Sequence, residues 1–418
     1  MPYYWIKSTL FLLVILVFSC QGQANLKPTP QTPETVKTDS LKSVVNPLVG
    51  ANRLELYEPL LKGKRIGVVC NPSSLIFHTN DHQAGATHLV DSLLSRKHKL
   101  VKVYSPEHGF RGTADAGEEV ADGMDKKTGL PLISVYGKNK KPTPEQLEGV
   151  DLLIFDIQDV GVRFYTYIST LHYLMEAAAE AALPVIVLDR PNPNGHYIDG
   201  PTLLPEHQSF LGMHPVPLVH GMTIGEYAQM INGEQWLKNG IQADLTVIPM
   251  EGYTHQSRYS LPVRPSPNLP NDQAINLYPS LGLLEGTTLN AGRGTDFQFQ
   301  VFGAPELPVE EFPFDYTPEP NFGAKYPKHQ GSLCHGKDLR KVPFLAEVDL
   351  GWIIEAYQAF PKDQTFFNTE NFTLHAGTPR LQEQIEAGLT MEDIRQSWQP
   401  ALEAYAIQRK AYLLYPLN

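Results

Sequence analysis

The chain has 418 residues, with 34 Lys and Arg against 45 Asp and Glu, and a formal net charge of −11. A charge of that sign makes nucleic acid or an anionic membrane surface an unfavourable electrostatic partner, so we expect no nucleic-acid partner. The length allows two domains with separate hydrophobic cores, and the scattered glycines and prolines lack the period of a repeat protein.

The N-terminal stretch has the pattern of an export signal. Lys7 precedes an apolar run from Leu10 to Phe18 that is too short to span a bilayer comfortably, and Cys20 follows a small serine. The arrangement resembles a bacterial lipoprotein signal, in which the cysteine is lipidated, although the bulky Phe18 leaves ordinary cleavage open. We predict a signal peptide over residues 1–20, lipidation at Cys20, and an exported protein anchored in a bacterial envelope.

Residues 21–45 are rich in Pro, Thr and Gln and hold few large apolar side chains. Such a segment buries too little apolar surface to fold, so we predict a disordered tether. Once the signal is removed, Cys70 and Cys334 are the remaining cysteines, which is too few for a disulfide framework. Cys70 ends an apolar run and is predicted to be a small buried residue.

Beyond the tether, continuous apolar runs alternate with helical segments. The runs lie within 65–71, 100–107, 150–159 and 183–195, and a helix is predicted over 167–182. Runs of this kind indicate parallel strands buried on both faces and joined by crossovers. We predict an α/β fold with a doubly wound parallel sheet in an N-terminal domain (46–275), followed by a smaller α+β domain (276–418).

Polar residues follow each of these runs. Ligands of open α/β sheets bind outside the carboxyl ends of the strands, so these residues are predicted to share one cleft. They are Asn71, the pair Glu107 and His108, the group Asp156, Gln158 and Asp159, and the pair Asp189 and Arg190.

Two glycine-rich loops concentrate charged side chains. The first, 104–118, carries Glu107, His108, Arg111, Asp115 and Glu118, and its glycines permit tight turns close to a ligand. The second, 277–305, carries Glu285, Asn290 and Arg293 between glycines. Both loops are predicted to contact a ligand.

The C-terminal part is predicted to hold short strands within 341–350 and 366–377, followed by helices. Thr390 and Asp393 form a capping-box pattern, and Pro400 suits the first turn of a second helix. His172, inside the predicted helix 167–182, is interpreted as a structural histidine.

The motifs of several enzyme classes are missing from the sequence. There is no G-x-S-x-G, S-x-x-K, P-loop, or G-x-G-x-x-G after the first strand, which argues against serine hydrolases and nucleotide enzymes. No paired-histidine spacing supports a metal site built from His108, Asp115 and Asp156, so we expect neither metal nor cofactor. Carboxylates, amides, arginines and tyrosines suit an anionic, polyhydroxylated ligand, and paired carboxylates suit glycoside hydrolysis.

Several blocks together resemble the exo-β-N-acetylmuramidase (NamZ-like) family, formerly a domain of unknown function. The blocks are SPEHGFRGTADAGE, DIQDVGVRFYTYISTL, LDRPNPNG, VHGMTIGE, PSPNLP, EGTTLNAGRGTDFQF and FGAP, in the family's order. The resemblance implies a Rossmann-like domain joined to a smaller domain. It also implies a glycosidase that removes N-acetylmuramic acid from the non-reducing end of wall-derived saccharides.

The resemblance also implies roles for single residues. The family's catalytic acid falls on Glu107, while its partner stays open among Asp115, Glu118, Asp156, Asp159 and Glu285; we take Glu118 and Asp156 as the catalytic candidates. The predicted saccharide-binding residues are Asn71, His108, Arg111, Asp115, Gln158, Asp159, Arg163, Tyr165, Arg190, Asn192, His220, Glu285 and Arg293. His108 or an arginine suits the lactyl carboxylate, although each arginine equally suits a structural salt bridge. Asn290 stands where the family pattern has Ser, which affects subsite preference.

Two other functions remain open from the residues. A lipid-anchored saccharide-binding protein without catalysis would have a similar cleft, but would tolerate replacement of Glu107. A wall esterase or amidase would need an activated nucleophile, for which Ser105 beside His108 is the one candidate.

Overall fold

The computed structural model describes residues 46–82, 84–111 and 122–418. The predicted signal peptide, the tether, Cys20, Asp115 and Glu118 lie outside the described residues.

The described residues form helices and strands in alternation over the first half of the chain. The strands are β1 (Arg65–Cys70), β2 (Leu75–Phe77), β3 (Ala86–His88), β4 (Lys99–Ser105), β5 (Gly123–Met124), β6 (Pro131–Ser134), β7 (Leu152–Asp156), β8 (Val185–Leu188), β9 (Leu245–Ile248), β10 (Val301–Ala304), β11 (Phe314–Tyr316) and β12 (Cys334–Asp338). The helices are α1 (Leu54–Leu61), α2 (Leu89–Ser95), α3 (Pro144–Leu147), α4 (Tyr167–Glu180), α5 (Ile224–Gly233), α6 (Asp272–Leu281), α7 (Gly351–Ala359), α8 (Thr369–Ala376), α9 (Arg380–Glu386) and α10 (Met391–Arg409).

The central sheet has the strand order β5-β6-β4-β1-β7-β8-β9. All neighbouring strands are parallel except β5, which pairs antiparallel with β6 at the edge. This is the Rossmann order, in which the direction of winding reverses between β1 and β7. The predicted α/β, doubly wound sheet is therefore confirmed, and the carboxyl ends of β1, β4, β6 and β7 meet near the reversal.

Helices cover both faces of the sheet. On one face, Tyr57 of α1 and Leu93 of α2 belong to the same buried cluster as Val68. On the other, Leu171 of α4 belongs to a cluster that contains Phe155 and extends into the C-terminal region as far as Tyr405. Because both faces of β1, β7 and β8 are covered, these strands read as unbroken apolar runs in the sequence.

The C-terminal region contains a small antiparallel sheet of order β10-β12-β11 and the helices α7 to α10. This supports the α+β part of the fold prediction. Helix α6 spans the predicted boundary at residue 275. None of the helices in the described ranges is both long and apolar enough to cross a membrane.

Three local predictions in this region are wrong. Residues 341–350 form turns and irregular backbone rather than a strand, in keeping with Pro343, which cannot donate a backbone hydrogen bond to a sheet. Residues 369–376 form helix α8 rather than a strand, because Asn368 caps its first turn through the Asn371 amide and Gly377, with φ of 78°, ends it. Pro400 does not begin a second helix but lies inside α10. The predicted capping box of Thr390 and Asp393 is confirmed.

Candidate active site

A cavity of about 160 Å³ lies at the carboxyl ends of the sheet strands, and we call it the glutamate cavity because it contains Glu107 and Glu285. It is lined by Glu107, His108, Tyr136, Phe164, Tyr165, Thr166, Phe210, Leu211, Ser266, Asn268, Leu269, Tyr278, Glu285, Arg293, Phe299 and His375. The loops after β4, β6 and β7 contribute the lining residues from Glu107 to Thr166. Helices α6 and α8 and the segment 285–299 contribute those from Tyr278 to His375.

Glu107 is held by two hydroxyl groups. Tyr136 donates to Oε1 at 2.9 Å, and Thr166 donates to Oε2 at 3.0 Å. Burial raises the pKa of Tyr136, and the neighbouring Glu107 raises it further, so the phenol stays a donor. The two hydroxyl groups therefore fix the carboxyl group at the cavity wall.

The turn that carries Glu107 has an unusual backbone. The Gly109 amide donates to the Pro106 carbonyl at 3.1 Å, and His108 has φ of 68°. A non-glycine residue in this region is strained, and strain of this kind is frequent at functional sites. The turn directs Glu107 and the buried His108 to the cavity wall.

Glu285 and Arg293 form an ion pair in the same cavity, with Nε of Arg293 2.9 Å from Oε1 of Glu285. Burial raises the pKa of Glu285, but the charges of Arg293 and Lys328 oppose it, and the net pKa lies below the ordinary value. Glu285 is thus ionised at neutral pH. The Arg293 guanidinium lies 5.0 Å from the centre of the Phe299 ring.

Asn268 and His375 add polar groups that sequence reasoning did not single out as site residues. Asn268 is 2% exposed, and its amide nitrogen donates to the Gly323 carbonyl at 2.7 Å. Its Oδ1 has no hydrogen-bond partner among the described residues. Burial lowers the pKa of His375, so the ring is neutral near pH 7. Asn268 belongs to the PSPNLP block, which was the available sequence signal, whereas nothing in the sequence linked His375 to the strand ends.

A second cavity of about 170 Å³ adjoins the first, and we call it the arginine cavity because Arg111 and Arg264 line it. Its lining is Asn71, Pro72, His108, Arg111, Tyr167, Arg264, Pro265, Ser266, Pro267 and Phe322. His108 and Ser266 belong to both linings. Arg111 pairs with Asp125 at 2.8 Å, and Asn71 donates to the Tyr167 hydroxyl at 2.9 Å.

The two cavities bring together seven of the residues predicted from the sequence. The glutamate cavity contains Glu107, His108, Tyr165, Glu285 and Arg293, and the arginine cavity contains Asn71, His108 and Arg111. The residues that sequence reasoning missed include Tyr136, Thr166, Asn268, Tyr278 and His375. Most of these residues lie on segments that are distant in sequence from Glu107, and tertiary packing brings them to the cavity.

Asp156 and Arg190 line neither cavity, because they bind each other. Arg190 donates from Nε and Nη2 to the two carboxylate oxygens of Asp156 at 2.6 and 2.9 Å, and both side chains are almost fully buried. Burial disfavours the Arg190 cation, but Asp156 reverses this effect and raises the pKa of Arg190. The pair joins the ends of β7 and β8.

Arg163 is wholly buried and also lines neither cavity. Its guanidinium donates to the carbonyls of Pro201, Val216, His375 and Ala376 at 2.6 to 3.1 Å. Burial lowers its pKa to about 9. Arg163 thus ties the C-terminal end of α8, and with it His375, to the loop that follows β8.

The other predicted binding residues form internal contacts. Gln158 donates to the Pro191 carbonyl at 2.6 Å, and Asn192 donates to the Met222 carbonyl at 2.8 Å. Asp159 lies 3.8 Å from His220, and both are buried. These contacts lie within the segments that follow β7 and β8, and none of the four residues lines either cavity.

Asn290 has a structural contact set. It is 1% exposed, donates to the carbonyls of Arg293 and Lys328 at 3.1 and 2.9 Å, and accepts from the Gly292 amide at 2.6 Å. It therefore shapes the loop that presents Arg293.

The structure also tests what the sequence suggested for Ser105, Cys70 and His172. Ser105 is 1% exposed and lines neither cavity, and its hydroxyl has no hydrogen-bond partner in the part of the chain that the structure describes. Cys70 is fully buried, and His172 is buried against His214, with 2.9 Å between ring nitrogens, as expected for a structural histidine.

Within the described ranges, no three His, Cys, Asp or Glu side chains are grouped to hold a metal ion.

Family models and a curated relative match this chain over most of its length. Residues 66–273 match the family model for the N-terminal part of exo-beta-N-acetylmuramidase NamZ, and residues 276–415 match that for its C-terminal part. Peptidoglycan beta-N-acetylmuramidase NamZ of Bacillus subtilis (strain 168) is 40% identical over 424 residues, which cover 97% of this chain and 98% of the relative.

Two crystal structures of DUF1343 family proteins from Bacteroides fragilis NCTC 9343 are also similar. One has a TM-score of 0.81 at 42% identity and covers 89% of this chain and 100% of its own. The other has a TM-score of 0.75 at 30% identity and covers 89% of this chain and 99% of its own.

Proposed function

Because the chain belongs to the exo-β-N-acetylmuramidase NamZ family, we propose that it is an exo-acting glycoside hydrolase that releases terminal N-acetylmuramic acid from peptidoglycan-derived saccharides. The observation that carries the proposal is the similarity to the Bacillus subtilis enzyme over nearly the full length of both chains. A cavity with two carboxyl groups fits this reaction, since glycoside hydrolysis uses one as an acid and usually a second as base or nucleophile.

Glu107 is the general acid in this proposal. It lies on the short turn after β4, where two hydroxyl groups hold both of its oxygens. A general acid must keep a fixed orientation toward the glycosidic oxygen. Hydrogen bonds to both oxygens of Glu107 fix the orientation of its carboxyl group.

Glu285 is the described carboxylate that best fits the second role. It lines the same cavity, and the Arg293 cation favours its ionised form, which a base or nucleophile requires. Asp156 fits less well, because Arg190 occupies both of its oxygens. Glu118 remains a sequence-based prediction, since it lies outside the described residues.

Arg293 suits the lactyl carboxylate of muramic acid. Only its Nε is engaged by Glu285, and its two terminal nitrogens make no hydrogen bond to any described residue. A guanidinium edge with free donors binds a carboxylate in two-pronged geometry. N-acetylglucosamine lacks that carboxylate, so this contact would distinguish the two sugars.

The exo-acting function is tested with a matched pair of saccharides. The disaccharide with N-acetylmuramic acid at its non-reducing end should yield two free sugars, detected by mass spectrometry. The trisaccharide with an additional N-acetylglucosamine at that end should stay intact. Cleavage of the capped saccharide would contradict exo action, and binding of the disaccharide without cleavage would favour a non-catalytic saccharide-binding protein.

We further propose that the chain is exported and carries lipid on Cys20. The support is the sequence pattern of residues 1–20 alone. Expressed in a bacterium that processes lipoproteins, the full chain should fractionate with membranes, whereas Cys20→Ser should not. Membrane association unchanged by the substitution would contradict lipidation.

A further inference from the structure

The arginine cavity lies beside the proposed acid. Glu107 lines the glutamate cavity, and the next residue, His108, lines both cavities. A general acid protonates the oxygen that joins the terminal sugar to the next one, so it must lie where the sites for those two sugars meet. The similar volumes of the cavities suit successive sugar residues of one chain.

Three of the described residues that line the arginine cavity are exposed, so this cavity is open to solvent. They are Phe322, at 58% exposure, Arg264 and Arg111. In the glutamate cavity, by contrast, each described lining residue is buried or half-buried, and none is exposed. An exo-acting enzyme needs a closed site for the terminal sugar and an open one for the rest of the chain, which assigns the open cavity to the leaving group.

The side chains of the arginine cavity suit an amino sugar. An exposed aromatic ring packs against the apolar C–H face of a pyranose. Arg111 is already paired with Asp125, whereas Arg264 forms no ion pair or hydrogen bond within the described ranges. No acidic side chain belongs to the lining that the structure describes. Arg264 is therefore available to donate to the carbonyl and hydroxyl oxygens of a sugar.

We propose that the arginine cavity is the leaving-group subsite, which holds the N-acetylated amino sugar released from N-acetylmuramic acid, with Phe322 under its ring and Arg264 on its oxygens. This inference rests on the proposed glycosidase function. Phe322 and Arg264 then determine how well the enzyme uses its natural leaving group, and take no part in the bond cleavage itself.

The test compares two substrates that differ only in the leaving group. One is the disaccharide of N-acetylmuramic acid and N-acetylglucosamine, and the other is the β-fluoride of N-acetylmuramic acid, which places no sugar in the arginine cavity. For Phe322→Ala and Arg264→Ala, kcat/KM on the disaccharide should fall about ten-fold, the loss expected when an aromatic contact or a charge-assisted hydrogen bond is removed. On the fluoride it should change less than about two-fold. Phe322→Tyr, which keeps the ring, should retain disaccharide activity.

Tyr326→Ala is the matched control, because Tyr326 is 90% exposed on the same segment and lines neither cavity. It should leave both substrates unaffected. Equal losses on disaccharide and fluoride, or no loss on the disaccharide, would overturn the subsite assignment. Failure of the unaltered protein to hydrolyse either substrate would overturn the proposed function instead.

Discussion

The hydroxyl group of Tyr136 donates a hydrogen bond to Oε1 of Glu107 at 2.9 Å, joining the loop after β6 to the turn after β4. Adjacent parallel strands of the sheet carry these two segments, so their carboxyl ends bring the side chains together. The contact makes Tyr136 a positioning residue for the proposed acid.

Tyr136→Phe is expected to lower kcat on the disaccharide about ten-fold with little change in KM, because one hydrogen bond to the carboxyl group is lost while the cavity keeps its shape. Steady-state kinetics separate the two parameters. Tyr173→Phe is the control, since Tyr173 stacks on Phe210 and lines neither cavity. A rise in KM alone would show that Tyr136 contributes to binding rather than to positioning Glu107.

Arg293→Gln is expected to reduce the preference for muramic acid. The kcat/KM for an aryl N-acetylmuramic acid glycoside should fall at least about ten-fold more than that for the N-acetylglucosamine glycoside, because only the former loses a charge-assisted contact. The substitution also breaks the ion pair with Glu285, which lowers kcat/KM for both glycosides by the same factor. Arg340→Gln, which removes a surface pair with Asp338, serves as control. Equal losses on both glycosides would refute recognition of the lactyl group.

Arg163→Met is expected to destabilise the protein by about 3 kcal/mol, since it leaves buried carbonyl groups without donors. The affected groups include the carbonyls of His375 and Ala376, at the C-terminal end of α8. Urea unfolding measures the change, and Arg380→Met, at the exposed start of α9, is the control. A stability equal to that of the unaltered protein would contradict this structural role.

The paired buried histidines should make the protein acid-sensitive. Burial lowers the pKa of His172 to about 4 and places that of His214 well below its usual value; Glu176 opposes the shift at His172. The folded state therefore favours the neutral rings. Their contribution is complete above the unfolded pKa near 6.5 and is lost as the pH falls toward 4, by up to about 1.4 kcal/mol per pH unit for each histidine.

Urea unfolding between pH 7.5 and 4.5 tests this dependence. His172→Gln should flatten the pH dependence of the unfolding free energy, whereas His78→Gln, at an exposed position, should leave it unchanged. Identical slopes for the unaltered protein and His172→Gln would rule out a role for His172.

The sequence predicted the central sheet well because its strands are buried on both faces. Runs such as 65–70 and 152–156 carry an unbroken apolar pattern that few other structures produce, and both are strands. Helix α8 was missed because its hydrophobic residues follow no clear period. Its signals are the Asn368 cap and Gly377 instead.

The site was harder to predict, because a polar residue after a strand can turn in several directions. Glu107, two residues beyond the end of β4, lines the glutamate cavity, whereas Asp156, the last residue of β7, binds Arg190. Arg163 shows the same difficulty: its sequence block suggests ligand binding, but its two terminal nitrogens donate to backbone carbonyls. His375 reaches the site from α8, far along the chain, and only tertiary packing brings it there.

The role of Glu107 is tested most directly by the activity of Glu107→Gln on the disaccharide and on the β-fluoride of N-acetylmuramic acid. Glu206→Gln, at an exposed position, is the control. Fluoride departs without protonation, so a general acid is needed for the disaccharide alone. If Glu107 is the general acid, its replacement should lower kcat on the disaccharide at least about a hundred-fold and cause a much smaller loss on the fluoride. Disaccharide activity close to that of the unaltered protein, or equal losses on both substrates, would contradict Glu107 as the general acid.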